Sequence, residues 1–96
     1  MYRDDPLDDE AELREVLGDA PVDRLAAADL GQPRTPLEAA LDVLRLLQGW
    51  VDDRAAGRWF VTEQRRLEGR TPLEALVTGA FEEVEDAARA WAAAQG

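Results

Sequence analysis

Leu67-Glu68-Gly69-Arg70-Thr71-Pro72-Leu73-Glu74-Ala75-Leu76-Val77-Thr78-Gly79 is the stretch whose reading decides the fold. Glu68-Gly69 forms a glycine-ended turn, Thr71 precedes a proline, and Glu74 stands three residues after the threonine. That is the grammar of a capping box. The Thr71 hydroxyl accepts from the Glu74 amide, the Glu74 carboxylate accepts from the Thr71 amide, and proline suits the first helical position. Leu73, Leu76 and Val77 follow at helical spacing, and Gly79 suits a left-handed stop. Trp59-Phe60 lie upstream and Phe81, Val84, Ala88 and Trp91 downstream. The short helix is therefore expected at the centre of the aromatic core.

Working outward, Arg34-Thr35-Pro36-Leu37-Glu38-Ala39 repeats Arg70–Ala75 letter for letter. Two copies with divergent flanks read as two uses of one helix cap, not as a repeat architecture. The first copy opens a helix predicted over Pro36 to about Gln48. Leu37, Ala40, Leu41, Leu44 and Leu47 form its stripe, and Val43 and Leu46 widen it. A face that wide implies a central helix, with a dimer contact as the alternative.

Gly49 breaks the run, and a further helix is expected from Trp50-Val51 to about Val61. Val51, Ala55 and Trp59 align in it, flanked by Ala56 and Phe60. Gly57, inside this helix, costs roughly 1 kcal/mol against alanine and fits a place where another helix packs close. The last helix is read over about Ala80 to Ala94. Phe81, Val84, Ala88 and Trp91 face inward, and Glu82, Glu83, Glu85 and Asp86 face outward, with Glu85 four residues before Arg89.

Toward the N-terminus, Asp4 to Glu15 hold seven acids and one arginine. Leu13, Val16 and Leu17 still share a face, so a short helix is predicted from about Asp9 to Leu17, closed by Gly18. The first eight residues read equally well as an acidic tail. Asp19-Ala20-Pro21 opens a second short helix, with Val22, Leu25 and Ala26 inward and Leu30-Gly31-Gln32-Pro33 as its end. The expected architecture is all-α, a compact bundle of about five short helices in one domain over 1–96. Residues 1–33 form an acidic helical part and 34–96 the main core.

The 96 residues carry a net charge of −10, and all eleven basic residues are arginine. Such a field repels phosphate backbones and anionic membranes and favours a basic partner surface. Cysteine, histidine, serine and lysine are absent. Thiolate and imidazole chemistry and Cys/His zinc sites are thereby excluded, and neither cofactor, metal nor enzymatic activity is expected. No apolar run approaches the roughly 20 residues of a bilayer span. The acidic start lacks the pattern of a secretory signal, which makes the cytoplasm the expected location.

Arg54, Arg58, Arg65, Arg66 and Arg70 fall within seventeen residues. They read either as a patch for carboxylate or phosphate or, for most of them, as local partners of Asp52, Asp53, Glu63 and Glu68.

The order from the tryptophan-plus-apolar pair Trp59-Phe60, through Leu67-x-Gly69-x-Thr71-Pro72-Leu73-x-x-Leu76, to Thr78-Gly79 and a helix bearing Val84 resembles the toxin-binding domain of bacterial Xre/MbcA/ParS-type antitoxins. The resemblance covers about Trp50 to Gly96. It implies a non-enzymatic module that binds and neutralises a protein toxin of the RES type, with the last helix and its Ala92–Gly96 end toward the toxin's cleft. Arg65, Arg66, Arg70, Arg89 and Trp91 are the candidate partner-binding residues. The family also implies an N-terminal DNA-binding portion. Here the first 33 residues, with ten acids and three arginines, are ill suited to one, so no nucleic-acid binding by this chain alone is expected. The competing expectation is a small acidic oligomerisation or scaffold protein, such as a homodimer, with no toxin partner.

Overall fold

A computed structural model of the chain describes residues 6–28 and 30–95, and these contain six α-helices and no strand. The helices are α1 (Pro6–Leu17), α2 (Asp19–Ala27), α3 (Pro36–Gln48), α4 (Asp53–Phe60), α5 (Pro72–Val77) and α6 (Phe81–Gln95), with one 3₁₀ turn at Arg65–Leu67 between α4 and α5. The all-α expectation holds. The acidic-tail alternative for residues 1–5 lies outside the described residues, and α1 starts at Pro6, ahead of the expected Asp9.

Both copies of the hexapeptide build the same cap. The Glu38 and Glu74 amides each donate to the threonine hydroxyl at 3.1 Å, and the Thr35 and Thr71 amides each donate to the glutamate at 2.9 Å. These bonds satisfy orphan amides of the first turn. The Thr71 bonds also hold the Glu74 carboxylate below its ordinary range. The arginines before the two threonines have diverged in use. Arg34 bridges Asp42 and Glu85, both at 2.6 Å, and lies 5.5 Å from the Phe81 ring centroid, tying the α2–α3 connection to α6. Arg70 is spent on the turn before α5.

Helix α3 is central, packing against each of the other five α-helices and most extensively against α6. Its inward face differs from the expected stripe. Pro36, Ala39, Ala40, Val43, Leu44 and Leu47 are buried, while Leu37, Leu41 and Leu46 are only half-buried. Pro36, Val43 and Leu47 lie at the middle of this face and Ala39 and Leu44 at its edges, with the half-buried leucines beyond them. Helix α6 answers with buried Ala87, Ala88 and Ala92 beside Phe81 and Val84. One core joins these residues to Leu13, Val22, Leu25, Trp59, Phe60, Leu67, Leu73 and Leu76.

Three further expectations are corrected. Ala26 is exposed, leaving Val22 and Leu25 as the buried residues of α2, which ends at Ala27. Trp50 is 57% exposed in the turn after α3, because α4 begins only at Asp53, where the Asp52 carboxylate accepts from the Ala55 amide at 2.8 Å. Glu85 reaches Arg34 across the bundle, not Arg89 on its own helix, and Arg89 pairs with Asp86 at 3.0 Å.

The acidic α1 is tied down at two places. Arg14 reaches Glu10, Asp19 and Asp23, joining α1 to α2 across Gly18, whose φ of 94° makes the sharp turn. Arg45 of α3 reaches Asp9 and Glu12, and Gln48 donates to Glu12 at 2.7 Å. The Gln48 and Arg45 bonds hold the Glu12 carboxyl below its ordinary value. No helix among the described residues is long and apolar enough to cross a membrane.

Candidate functional site

The site is built from two segments seventeen positions apart, Gln64–Arg70 and Ala87–Ala94. The first is the turn from Gln64 to Arg70. Its ends are closed by Gln64 N–H donating to the Arg70 carbonyl at 3.0 Å and Arg70 N–H donating to the Leu67 carbonyl at 3.1 Å. Glu68 (φ 61°) and Gly69 (φ 86°) both take the left-handed conformation that lets so short a turn close. Leu67, 1% exposed, anchors the turn in the core and leaves its predecessors Arg65 and Arg66 exposed. Leu67 belongs to the core although its neighbours mark the segment as a polar loop.

The second segment is the strip Ala87, Ala90, Trp91 and Ala94 on α6, spaced i, i+3, i+4 and i+7 so that it lies along one face. Trp91 is half-buried and held in place by stacking on Trp59 (centroids 6.0 Å apart, rings 29° apart), which in turn meets Phe60 edge-on at 5.6 Å. Such pairs add roughly 0.5–1.5 kcal/mol beyond area burial.

Between these segments runs a groove of about 540 Å³, lined by Gln64, Arg65 and Arg66 on one side and the α6 strip on the other. A hollow of about 340 Å³ adjoins it, sharing Gln64 and Trp91 and adding Ala55, Arg58, Trp59, Thr62 and Gln95. In a chain with 21 acids, no described residue of either lining is a carboxylate. The expected local pairing of the arginines is not found. Among the described residues Arg54, Arg58, Arg65 and Arg66 have no acid within 4.0 Å, whereas Arg14, Arg34, Arg45 and Arg89 all do. Two of the acids expected to pair are engaged elsewhere: Asp52 caps α4, and Asp53 accepts from Gln48 at 3.1 Å.

Of the five residues singled out from the sequence, Arg65, Arg66 and Trp91 come together in the groove. Arg70 donates to the Leu67 carbonyl at 3.1 Å and to the Thr78 hydroxyl at 3.3 Å, which makes it a clamp between the turn and the end of α5. Arg89 lies about half a turn around α6 from the strip and is paired with Asp86. The sequence reading passed over Gln64, Ala87 and Ala90, and reached Ala94 only as part of the Ala92–Gly96 end. Their i, i+3, i+7 spacing beside Trp91 was the available signal.

A third hollow, lined by Asp9, Pro33, Arg34, Glu38, Leu41 and Asp42, is occupied with structural pairing: Arg34 holds Asp42, and Glu38 closes the α3 cap. No group of acids among the described residues is placed to hold a metal ion. The described residues of the groove's lining offer hydrogen-bond donors, positive charge and apolar surface, with no carboxylate among them. Known protein families, curated proteins and solved structures provide no match to the chain.

Proposed function

We propose that this chain is a non-catalytic, cytoplasmic protein-binding module, an antitoxin-like protein that binds and neutralises a partner toxin of the RES type. The observation that carries the binding role is the groove beside Trp91. A half-buried aromatic sits on an alanine shelf opposite two arginines that have no acid partner among the described residues. Aromatic and arginine side chains are the types most enriched at the energetic centres of protein interfaces, and the small side chains of half-buried Ala90 and exposed Ala94 let a partner's backbone come close. The toxin as partner is supported by the resemblance of Leu67–Gly79. The turn, α5 and α6 that carry this resemblance also build or flank the groove.

The test is co-expression with the RES-type candidate encoded beside this chain. The expected result is a complex that co-purifies and relieves the candidate's toxicity. A folded chain that neither co-purifies with it nor relieves growth arrest overturns the antitoxin reading.

A further inference from the structure

We infer that the cleft around Trp91 recognises a carboxylate-bearing segment of its partner, an acidic peptide stretch with an apolar side chain seated against Trp91. This rests on the reading of the chain as a protein-binding module and adds the chemistry of what it binds.

Among the described residues, the unmatched charged groups of the cleft are all donors. The side-chain amide of Gln64 already donates to the Thr62 carbonyl at 3.0 Å and that of Gln95 to the Trp91 carbonyl at 3.2 Å, while the Thr62 hydroxyl donates to the Arg58 carbonyl at 2.6 Å. The remaining donors include the guanidinium groups of Arg58, Arg65 and Arg66 and the indole N–H groups of Trp59 and Trp91. Trp59 is 3% exposed, and its Nε1 is buried with no hydrogen-bond partner, alone in this among the described side chains. A buried donor without an acceptor is unfavourable, and Trp59 lines the hollow beside Arg58. A ligand that completes this lining brings acceptors and negative charge.

The planar fork of each arginine matches a carboxylate in two-point contact. The floor of Ala87, Ala90, Trp91 and Ala94 takes an apolar side chain. Together they select an amphipathic acidic segment. A nucleic acid fits less well. Its binding relies on an extended cationic track, whereas this chain has three cleft arginines within a net charge of −10. A short acidic peptide meets the local arginines while much of the remote negative field is screened beyond about 8 Å at physiological salt.

The experiment follows the three indole N–H signals of the ¹⁵N-labelled full chain, from Trp50, Trp59 and Trp91. Three sets of short synthetic peptides share the same leucine and phenylalanine positions and carry glutamate, glutamine or lysine at every other position. A single-stranded oligonucleotide serves as a fourth probe. The glutamate set is expected to shift the Trp59 and Trp91 signals and to leave Trp50 in place. Arg65→Gln combined with Arg66→Gln, both at exposed positions, should weaken that response roughly three- to tenfold, as the loss of two exposed ion pairs implies.

Equal responses to the glutamate and glutamine sets would overturn the inference, as would a response to the oligonucleotide alone, shifts that track self-association of the chain, or no shift from any probe. The module reading fails separately. If the chain with Arg58, Arg65 and Arg66 all changed to glutamine still captures the candidate toxin at full affinity, the carboxylate inference falls and the binding module stands.

Discussion

The carbonyl oxygen of Val16 on α1 lies 2.5 Å from the point where a β-carbon at position 57 would stand, and Val16 Cγ1 lies 3.2 Å from it. The glycine in the middle of α4 is what lets α1 and α4 meet at this distance. Gly57→Ala is predicted to destabilise the protein by about 1–3 kcal/mol through overpacking, against the roughly 1 kcal/mol that alanine's helix propensity contributes in the other direction. Chemical denaturation reads the sign directly. A stabilised variant would mean that α1 does not pack here.

The second prediction concerns the cap that opens α5. Thr71→Ala removes the acceptor of the Glu74 amide and should cost about 1 kcal/mol. Leu73→Ala empties a site only 5% exposed and should cost about 2–5 kcal/mol. Equal stability of Leu73→Ala and the parent in urea would remove α5 from the core.

Acid should weaken the α1–α3 clasp. Gln48 and Arg45 hold the folded-state pKa of Glu12 below its ordinary 4.5. The stabilisation is therefore fully present above the unfolded-state value and is lost as pH falls through the lower folded-state one. The stability advantage of the parent over Glu12→Gln should be constant near neutrality and shrink below about pH 4.5. An advantage unchanged at pH 3 would show that the carboxylate charge is not what Arg45 and Gln48 hold.

Much of the fold was legible because its signals are local. Pro36–Gln48 was readable to the residue, since cap, proline and glycine fall within one segment. The close approach at Gly57 was anticipated from a glycine inside a helix. The rotated inward face of α3 was not. Leu37 and Leu41 outrank Ala39 in hydrophobicity, yet Ala39 is the buried one, because the sides on which α3 is covered are set by its neighbours in the bundle. The Arg34–Glu85 pair spans 51 positions, and no pattern on one helix reveals it. Arg65, Arg66 and Trp91 were each visible in the sequence. Their meeting across a groove depends on the left-handed turn at Glu68-Gly69 and on Leu67 being drawn into the core, both tertiary facts.

The unpaired arginines carry a negative prediction. Arg54, Arg58, Arg65 and Arg66 make no ion pair among the described residues, yet the chain as a whole holds ten more acids than bases. Duplex DNA should show no submicromolar, salt-sensitive shift in a mobility assay at physiological salt, because counterion release needs a larger cationic footprint. Such a shift would reassign the groove to nucleic acid.

The measurement that most directly tests the central claim, that the groove beside Trp91 is the binding face, is a calorimetric titration of the candidate toxin with three folded chains. The parent is compared with Ala94→Gln, which adds uncharged bulk at an exposed position of the groove, and with Arg89→Gln, about half a turn around the same helix. Ala94→Gln should weaken binding by about tenfold or more, some 1.4 kcal/mol, while Arg89→Gln binds as the parent does. Undiminished binding by Ala94→Gln, or a loss confined to Arg89→Gln, would contradict the account.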